Sequence, residues 1–176
     1  STCLNCVKGK YSVTAGAPNQ YECKYCPAFS TSPEGSPSST ACSCNVGYTG
    51  ADGSRCSACS KGTYKPSTGS SACLQCPIAT YNGRTGTSAC AECYPGATTL
   101  QVGSAIIFDC VCEPGYTGTS NWGVCQQCAK AKYKSTMGSQ SCSWCPVNTY
   151  TDFFGATACL NCPTHSTNFK VGGLNR

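Results

Sequence analysis

Leu, Ile, Val and Phe, the side chains that build ordinary cores, together number only 21 in a chain of 176 residues. At roughly 25 cal/mol per Å² of buried apolar surface, against roughly 1.5 kcal/mol of entropy per ordered residue, so few cannot balance folding by themselves. Covalent cross-links or metals are expected to hold the chain. No apolar run approaches the length of a bilayer span, and the start, Ser-Thr-Cys-Leu-Asn-Cys, is not a signal peptide, so a mature or excised soluble piece is expected. No helical hydrophobic period persists beyond a turn.

Chemistry-bearing residues are equally sparse. The single histidine, His165, follows a Cys-Pro turn with no nucleophile pattern nearby, which reads as a surface residue. The seven acids, Glu22, Glu34, Asp52, Glu92, Asp109, Glu113 and Asp152, are scattered without a calcium-loop spacing. No enzymatic activity, cofactor or metal is expected. Basic residues and aromatics are not interleaved into a nucleic-acid fold. The net charge of +5 includes Lys130, Lys132 and Lys134, a cluster that would favour acidic glycans or membranes but reads more simply as a solvated edge. Trp122 and Trp144 are weighed as sugar or partner contacts, against packing over a disulfide, which is the reading adopted.

What the chain has is cysteine, 20 in all. They fall in ten close pairs: eight Cys-x-x-Cys (Cys3/Cys6, Cys23/Cys26, Cys56/Cys59, Cys73/Cys76, Cys90/Cys93, Cys125/Cys128, Cys142/Cys145 and Cys159/Cys162) and two Cys-x-Cys (Cys42/Cys44 and Cys110/Cys112). Pairs recur after about 17 residues, and superposing Cys42 on Cys110 reveals a larger unit of about 68 or 69. Five modules place tyrosine five residues after the second cysteine: Tyr11, Tyr64, Tyr81, Tyr133 and Tyr150. Three place threonine there, Thr31, Thr98 and Thr167, and these mark the last module of each larger unit. The units are therefore read as 1–41 (partial), 42–109 (complete) and 110–176. By this phase the next Cys-x-Cys falls just past Arg176, which points to a longer parent chain or to copies joined end to end.

Three uses of the cysteines compete. A redox Cys-x-x-Cys needs a helix start to lower its thiol pKa, a setting this helix-poor chain does not offer. Zinc knuckles suit paired Cys-x-x-Cys but not the two Cys-x-Cys pairs. Disulfides fit the density and imply an oxidising, extracellular compartment. The expected fold is a small disulfide-rich all-β protein, an elongated array of short hairpin modules with almost no helix. Residues 105–110, Ala-Ile-Ile-Phe-Asp-Cys, are the most apolar stretch and are expected to pack on a neighbouring module. Residues 29–41 read as an exposed Ser/Thr/Pro-rich loop. Within that loop Ser30, Thr31, Ser32, Ser36, Ser38, Ser39 and Thr40 are candidate O-glycosylation sites.

The segment Cys42-Ser-Cys44-Asn-Val-Gly47-Tyr48-Thr49-Gly50, repeated as Cys110-Val-Cys112-Glu-Pro-Gly115-Tyr116-Thr117-Gly118, resembles the carboxy-terminal half of an epidermal-growth-factor-like module. Over a longer span the order of motifs resembles the cysteine-rich repeat of ephrin-receptor ectodomains, related in style to tumour-necrosis-factor-receptor repeats. The residues from Ser60 to Pro77 carry that likeness best. The repeat type also occurs in surface and filament proteins of protists and algae, so the resemblance implies a compartment more than a task. The growth-factor-like rule implies bridges Cys44 to Cys56 and Cys112 to Cys125, with the tyrosine covering the bridge. Extended along the chain it adds Cys6 to Cys23, Cys26 to Cys42, Cys59 to Cys73, Cys76 to Cys90, Cys93 to Cys110, Cys128 to Cys142 and Cys145 to Cys159. Cys3 and Cys162 then remain for a bond between copies. Receptor-type crossed pairing, for example Cys73 to Cys90 with Cys76 to Cys93, stays open beside it.

Two roles follow as expectations. One is a structural extracellular rod, a subunit or segment of a cell-surface filament, flagellar hair or coat, self-associating end to end. The other is the stalk or ligand-binding region of a receptor or surface antigen, which predicts an exposed apolar or charged patch on one module. Glycans and other extracellular proteins are the partners considered.

Overall fold

Between successive cysteine pairs the chain offers two or three β-favouring residues and then Gly, Ser, Asn or Pro, so strands begin and end within a few residues. The computed structural model describes residues 5–14, 22–118, 124–164 and 166. Strands of two or three residues pair there into nine two-stranded antiparallel sheets. The helical segments are 3-10 turns, such as Ser39–Ala41 and Ile107–Asp109. The protein is a tandem array of small, disulfide-rich, all-β modules.

The contacts divide into two compact units, Ser1–Cys76 with Asn82–Cys90, and Pro77–Tyr81 with Ala91–Arg176. In the first, β1 (Lys10–Tyr11) pairs with β2 (Lys24–Tyr25), β3 (Ser30–Thr31) with β4 (Ser43–Cys44), β5 (Tyr48–Thr49) with β6 (Ser57–Ala58), and β7 (Thr63–Tyr64) with β8 (Leu74–Gln75). In the second, β9 (Thr80–Tyr81) pairs with β10 (Ala91–Glu92), β11 (Ala97–Thr99) with β12 (Cys110–Cys112), β13 (Tyr116–Thr117) with β14 (Gln126–Gln127), β15 (Lys132–Tyr133) with β16 (Ser143–Trp144), and β17 (Thr149–Tyr150) with β18 (Leu160–Asn161).

The two residues inside a Cys-x-x-Cys are themselves a strand, as in β2 between Cys23 and Cys26 or β8 between Cys73 and Cys76. Side chains alternate along a strand, so cysteines three apart point to opposite faces and are directed to different partners. The bridges are Cys6–Cys23, Cys26–Cys42, Cys44–Cys56, Cys59–Cys73, Cys76–Cys90, Cys93–Cys110, Cys112–Cys125, Cys128–Cys142 and Cys145–Cys159. In the pairs from Cys23/Cys26 to Cys142/Cys145 the first cysteine thus bonds backward and the second forward. Their Cα–Cα distances, 5.5 Å to 5.8 Å, are ordinary for disulfides.

One turn recurs before the first strand of each hairpin. The N–H of the fourth residue after the pair's second cysteine donates to the carbonyl of the first, as in Lys10 to Val7, Tyr48 to Asn45 and Lys132 to Ala129, each at 3.1 Å. The third residue has positive φ, the feature that marks a type II turn. Gly9, Gly47, Gly62, Gly96 and Gly115 hold that place, but so do Phe29, Ala79, Ala131 and Asn148. Glycine is needed where space, not torsion alone, is short. A Cβ on Gly115 would collide with the carbonyl oxygen of Gly155, whereas one on Gly9 would meet only Thr31 Oγ1 at 3.7 Å. Gly9→Ala is expected to cost about 1–2 kcal/mol from torsion. Gly115→Ala is expected to cost more, because the clash is added, and paired denaturant titrations of the two variants check the order.

Cysteine and alanine alone make up the buried apolar residues among those described; no Leu, Ile, Val, Phe, Met or Trp is buried. Within the modules the apolar interior is built on the bridges, with ten buried cysteines in the place of small hydrophobes. Two expectations are corrected here. The apolar stretch 105–110 does not bury its large side chains: Ile106 and Phe108 are about half exposed, as is Val102 on the same β11–β12 connection, and Leu100 there is about two-thirds exposed. That connection is held by Asp109, whose Oδ2 accepts the N–H groups of Ala105 at 3.0 Å and Ile106 at 3.3 Å, rather than by apolar packing. Residues 29–41 are not uniformly an exposed loop. Ser32 and Ser36 are buried, with Ser32 Oγ donating to the Lys10 carbonyl at 2.9 Å and Ser36 Oγ to that of Pro33 at 2.8 Å.

Candidate functional site

Several consecutive hairpins within each unit are joined by a reciprocal pair of backbone hydrogen bonds. The turn residue of one module donates forward, and a residue of the next module donates back to the cysteine carbonyl that precedes the first turn. In the first unit Gly62 N–H reaches the Asn82 carbonyl at 2.8 Å while Gly86 N–H reaches that of Cys59 at 2.9 Å. In the second, Ala131 N–H meets the Thr151 carbonyl at 2.9 Å and Gly155 N–H that of Cys128 at 2.8 Å. The same pairing follows the Cys-x-Cys modules, through Gly47 with Lys65 and Gly69 with Cys44, and through Gly115 with Lys134 and Gly138 with Cys112. Backbone groups that would be orphaned at the ends of two-residue strands are satisfied by the neighbouring module.

At the last two of these junctions sit the least expected side chains. Lys65 is 1% exposed and Lys134 is 4% exposed. Lys65 Nζ donates to the Gly69 carbonyl at 2.7 Å. Lys134 Nζ donates to the Tyr116 carbonyl at 2.8 Å and to that of Gly138. Each lysine therefore clamps the loop that returns to its Cys-x-Cys, with its aliphatic stem filling space that no apolar residue occupies. Desolvation lowers both pKa values from the ordinary lysine range, and at Lys65 the charge of Asp52 works against that shift. The solvated edge expected of Lys130, Lys132 and Lys134 is thus wrong for Lys134. The available signal was Tyr-Lys followed by Gly four residues on, at corresponding places in two repeats. Native-state acylation with an amine-specific reagent is expected to modify Lys130 and Lys132 while sparing Lys65 and Lys134. Equal labelling of the four would contradict the clamp.

The two tyrosines of the growth-factor-like segments lie on the turn residue of the preceding module. Tyr48 stacks on Phe29 with centroids 4.3 Å apart, and the Tyr116 ring fills the space where a Cβ of Gly96 would be. Trp144 is not covered over a disulfide: it is 54% exposed, with Lys132 Nζ 4.3 Å from its ring centroid. Lys130 Nζ lies 5.8 Å from the Phe154 centroid, and Lys10 Nζ lies 4.2 Å from that of Tyr25. Lys10 faces Tyr25 and Lys132 faces Trp144 at the same register position of their hairpins.

Among the cysteines described, Cys162 is outside a bridge and half-buried. Cys3, Trp122, His165 and Thr167 lie outside the described residues. The eighteen bridged cysteines have no thiolate to give a metal, and no group of three His, Cys, Asp or Glu side chains suited to a metal occurs among the described residues. Of the candidate O-glycosylation residues, Thr40 is exposed and Ser30, Thr31, Ser38 and Ser39 are partly so, whereas Ser32 and Ser36 are closed to modification by burial. Among the described residues no helix is long and apolar enough to cross a membrane.

No curated protein matches the chain. A family model described as tyrosine-protein kinase ephrin type A/B receptor-like matches four times, at residues 47–87, 69–110, 115–158 and 141–176. Those matches span more than half of the sequence and cover hairpin, bridge and turn alike. On this correspondence of repeated modules, the chain belongs to the ephrin type A/B receptor-like family of cysteine-rich repeats.

Proposed function

We propose that this chain is an extracellular stalk-like repeat region whose function is to hold distance outside the cell. The compartment follows from nine disulfides in receptor-type repeats. The observation that supports a spacer is the reciprocal hydrogen-bond pair found between several successive hairpins within each unit, which adds a noncovalent tie to the covalent one. Modules tied only to their neighbours make an array whose length grows with repeat number. In this reading residues 42–109 and 110–176 are the repeating units, with 1–41 part of another, and the region serves in a surface filament, flagellar hair or coat. Small-angle scattering tests it: a compact chain of this length has a radius of gyration of roughly 16 Å. A value well above that is expected, and a compact value would refute the spacer. Sedimentation at rising concentration tests end-to-end association.

A second reading, the ligand-binding part of a receptor or antigen, is favoured by one observation. Leu100, Val102, Ile106 and Phe108 expose apolar surface on one connection. The corresponding connection of the preceding unit, residues 33–41, carries Pro, Glu, Gly, Ser, Thr and Ala instead and builds the same 3-10 turn. The fold does not require those apolar side chains, so polar replacements at Ile106 and Phe108 are expected to leave thermal stability unchanged while removing any partner that uses them.

A further inference from the structure

The module that follows Cys125 differs from its counterpart in the preceding unit in a selective way. Aligned on Cys56 and Cys125, the buried lysine and two half-buried positions are kept, Lys65 corresponding to Lys134, Tyr64 to Tyr133 and Gly86 to Gly155, and the buried positions that change stay small, Gly62 to Ala131 and Asn82 to Thr151. Several outward positions are not kept. Thr63 is replaced by Lys132, Gln75 by Trp144 and Thr85 by Phe154, while Lys61 corresponds to Lys130. Trp144 and Phe154 are each more than half exposed. The same backbone is therefore built with polar residues in one copy and with exposed rings beside ammonium groups in the other, so folding does not account for the change.

The placement of these groups bears on the ligand. Lys132 lies over the Trp144 ring and Lys130 over that of Phe154, which positions two cations without consuming their capacity to donate to an anion. Backbone bonds from Ala131, between the two lysines, to Thr151 and from Lys134 to Ala156 hold the segment carrying Phe154 alongside. Between Cys125 and Cys162 the one acid is Asp152, which is exposed beside Phe153. Rings that can accept the C–H face of a sugar, flanked by donors for a sulfate or carboxylate, are complementary to an anionic polysaccharide. An anionic lipid surface fits less well, because such lipids are concentrated in the cytoplasmic leaflet and nine disulfides place the chain outside.

We infer that Lys130, Lys132, Trp144 and Phe154 form a binding surface for a sulfated or carboxylated polysaccharide. This surface is independent of whether the chain serves as filament or receptor stalk. The test is binding of the oxidised full chain to dextran sulfate, with neutral dextran as the control, at physiological ionic strength. The triple variant K132T/W144Q/F154T carries residues that the preceding unit already accommodates, so it is expected to fold with the same non-reducing mobility. The parent is expected to bind dextran sulfate and not dextran. W144Q alone is expected to weaken binding about fivefold, the triple variant to abolish it, and K8T, which removes an exposed charge elsewhere, to leave it unchanged. Equal losses in K8T and K132T, or full binding by the triple variant, would show that net charge alone is responsible and overturn the proposal. So would absent binding to dextran sulfate, preferential binding to phosphatidylserine vesicles, or a Trp144-dependent dimer in sedimentation.

Discussion

Reduction of the bridges, followed by capping of the thiols, is expected to leave no folded chain at 25 °C without any denaturant. The reason lies in what is buried. Among the described residues the apolar interior consists of cysteine and alanine, so breaking the sulfur–sulfur bonds removes the core and the cross-links together. Each bridge closes a loop of 12 to 17 residues in sequence separation. A loop of that size corresponds to about 3 kcal/mol in the chain-entropy estimate, and nine such losses exceed the roughly 5–15 kcal/mol of net stability typical of a domain. The measurement is the hydrodynamic radius and circular dichroism of the capped chain. A radius and spectrum equal to those of the oxidised protein would show that the hairpins stand without their bridges. A single deletion, Cys76→Ala with Cys90→Ala, is expected to loosen its own hairpin most, since the reciprocal bonds and the other bridges keep the remaining modules tied. Hydrogen exchange confined to the residues around β8 to β10 would show this localisation.

The second large effect is expected at Lys134. Lys134→Met keeps the stem's volume but leaves the Tyr116 and Gly138 carbonyls without their donor. A buried acceptor left unsatisfied costs roughly 1–3 kcal/mol, so the substitution is expected to lower stability by about 2–4 kcal/mol. Lys132→Met, two residues away on the surface, is expected to change it by less than about 0.5 kcal/mol. Guanidinium titrations under non-reducing conditions compare the two, and equal midpoints would mean that the ammonium contributes no clamp. Lys65→Met is expected to behave like Lys134→Met, because the junction at Gly69 and Cys44 is built in the same way.

Much of the architecture was legible because the controlling information is local. A cysteine pair every 17 or so residues, a turn-forming run after it and a shortage of large aliphatics leave few alternatives to small bridged hairpins. The positive-φ turn position was legible where it is glycine, but not at Phe29, Ala79 or Ala131, where the turn closed by a hydrogen bond takes a torsion that these residues rarely adopt; Asn148 is the one non-glycine there of a type that takes it readily. The Lys65 and Lys134 clamps were hidden for a different reason. Lysine is a surface residue unless acceptors surround its ammonium, and for Lys134 one acceptor belongs to Tyr116 in the preceding hairpin, 18 positions away. The same holds in reverse for Ile106, Phe108 and Trp144. Their hydrophobicity argued for burial, but once the bridges fill the interior there is no space left to take them.

The amino-acid sequence by itself determined the class of this protein, a tandem series of small disulfide-rich β modules of the ephrin-receptor-like type, because cysteine spacing and composition act over a few residues at a time. Only the tertiary structure decided which lysines are structural and which aromatics face outward. Those outcomes depend on carbonyls, turns and bridges supplied by the neighbouring module, and burial is a property of that three-dimensional neighbourhood rather than of the residue type.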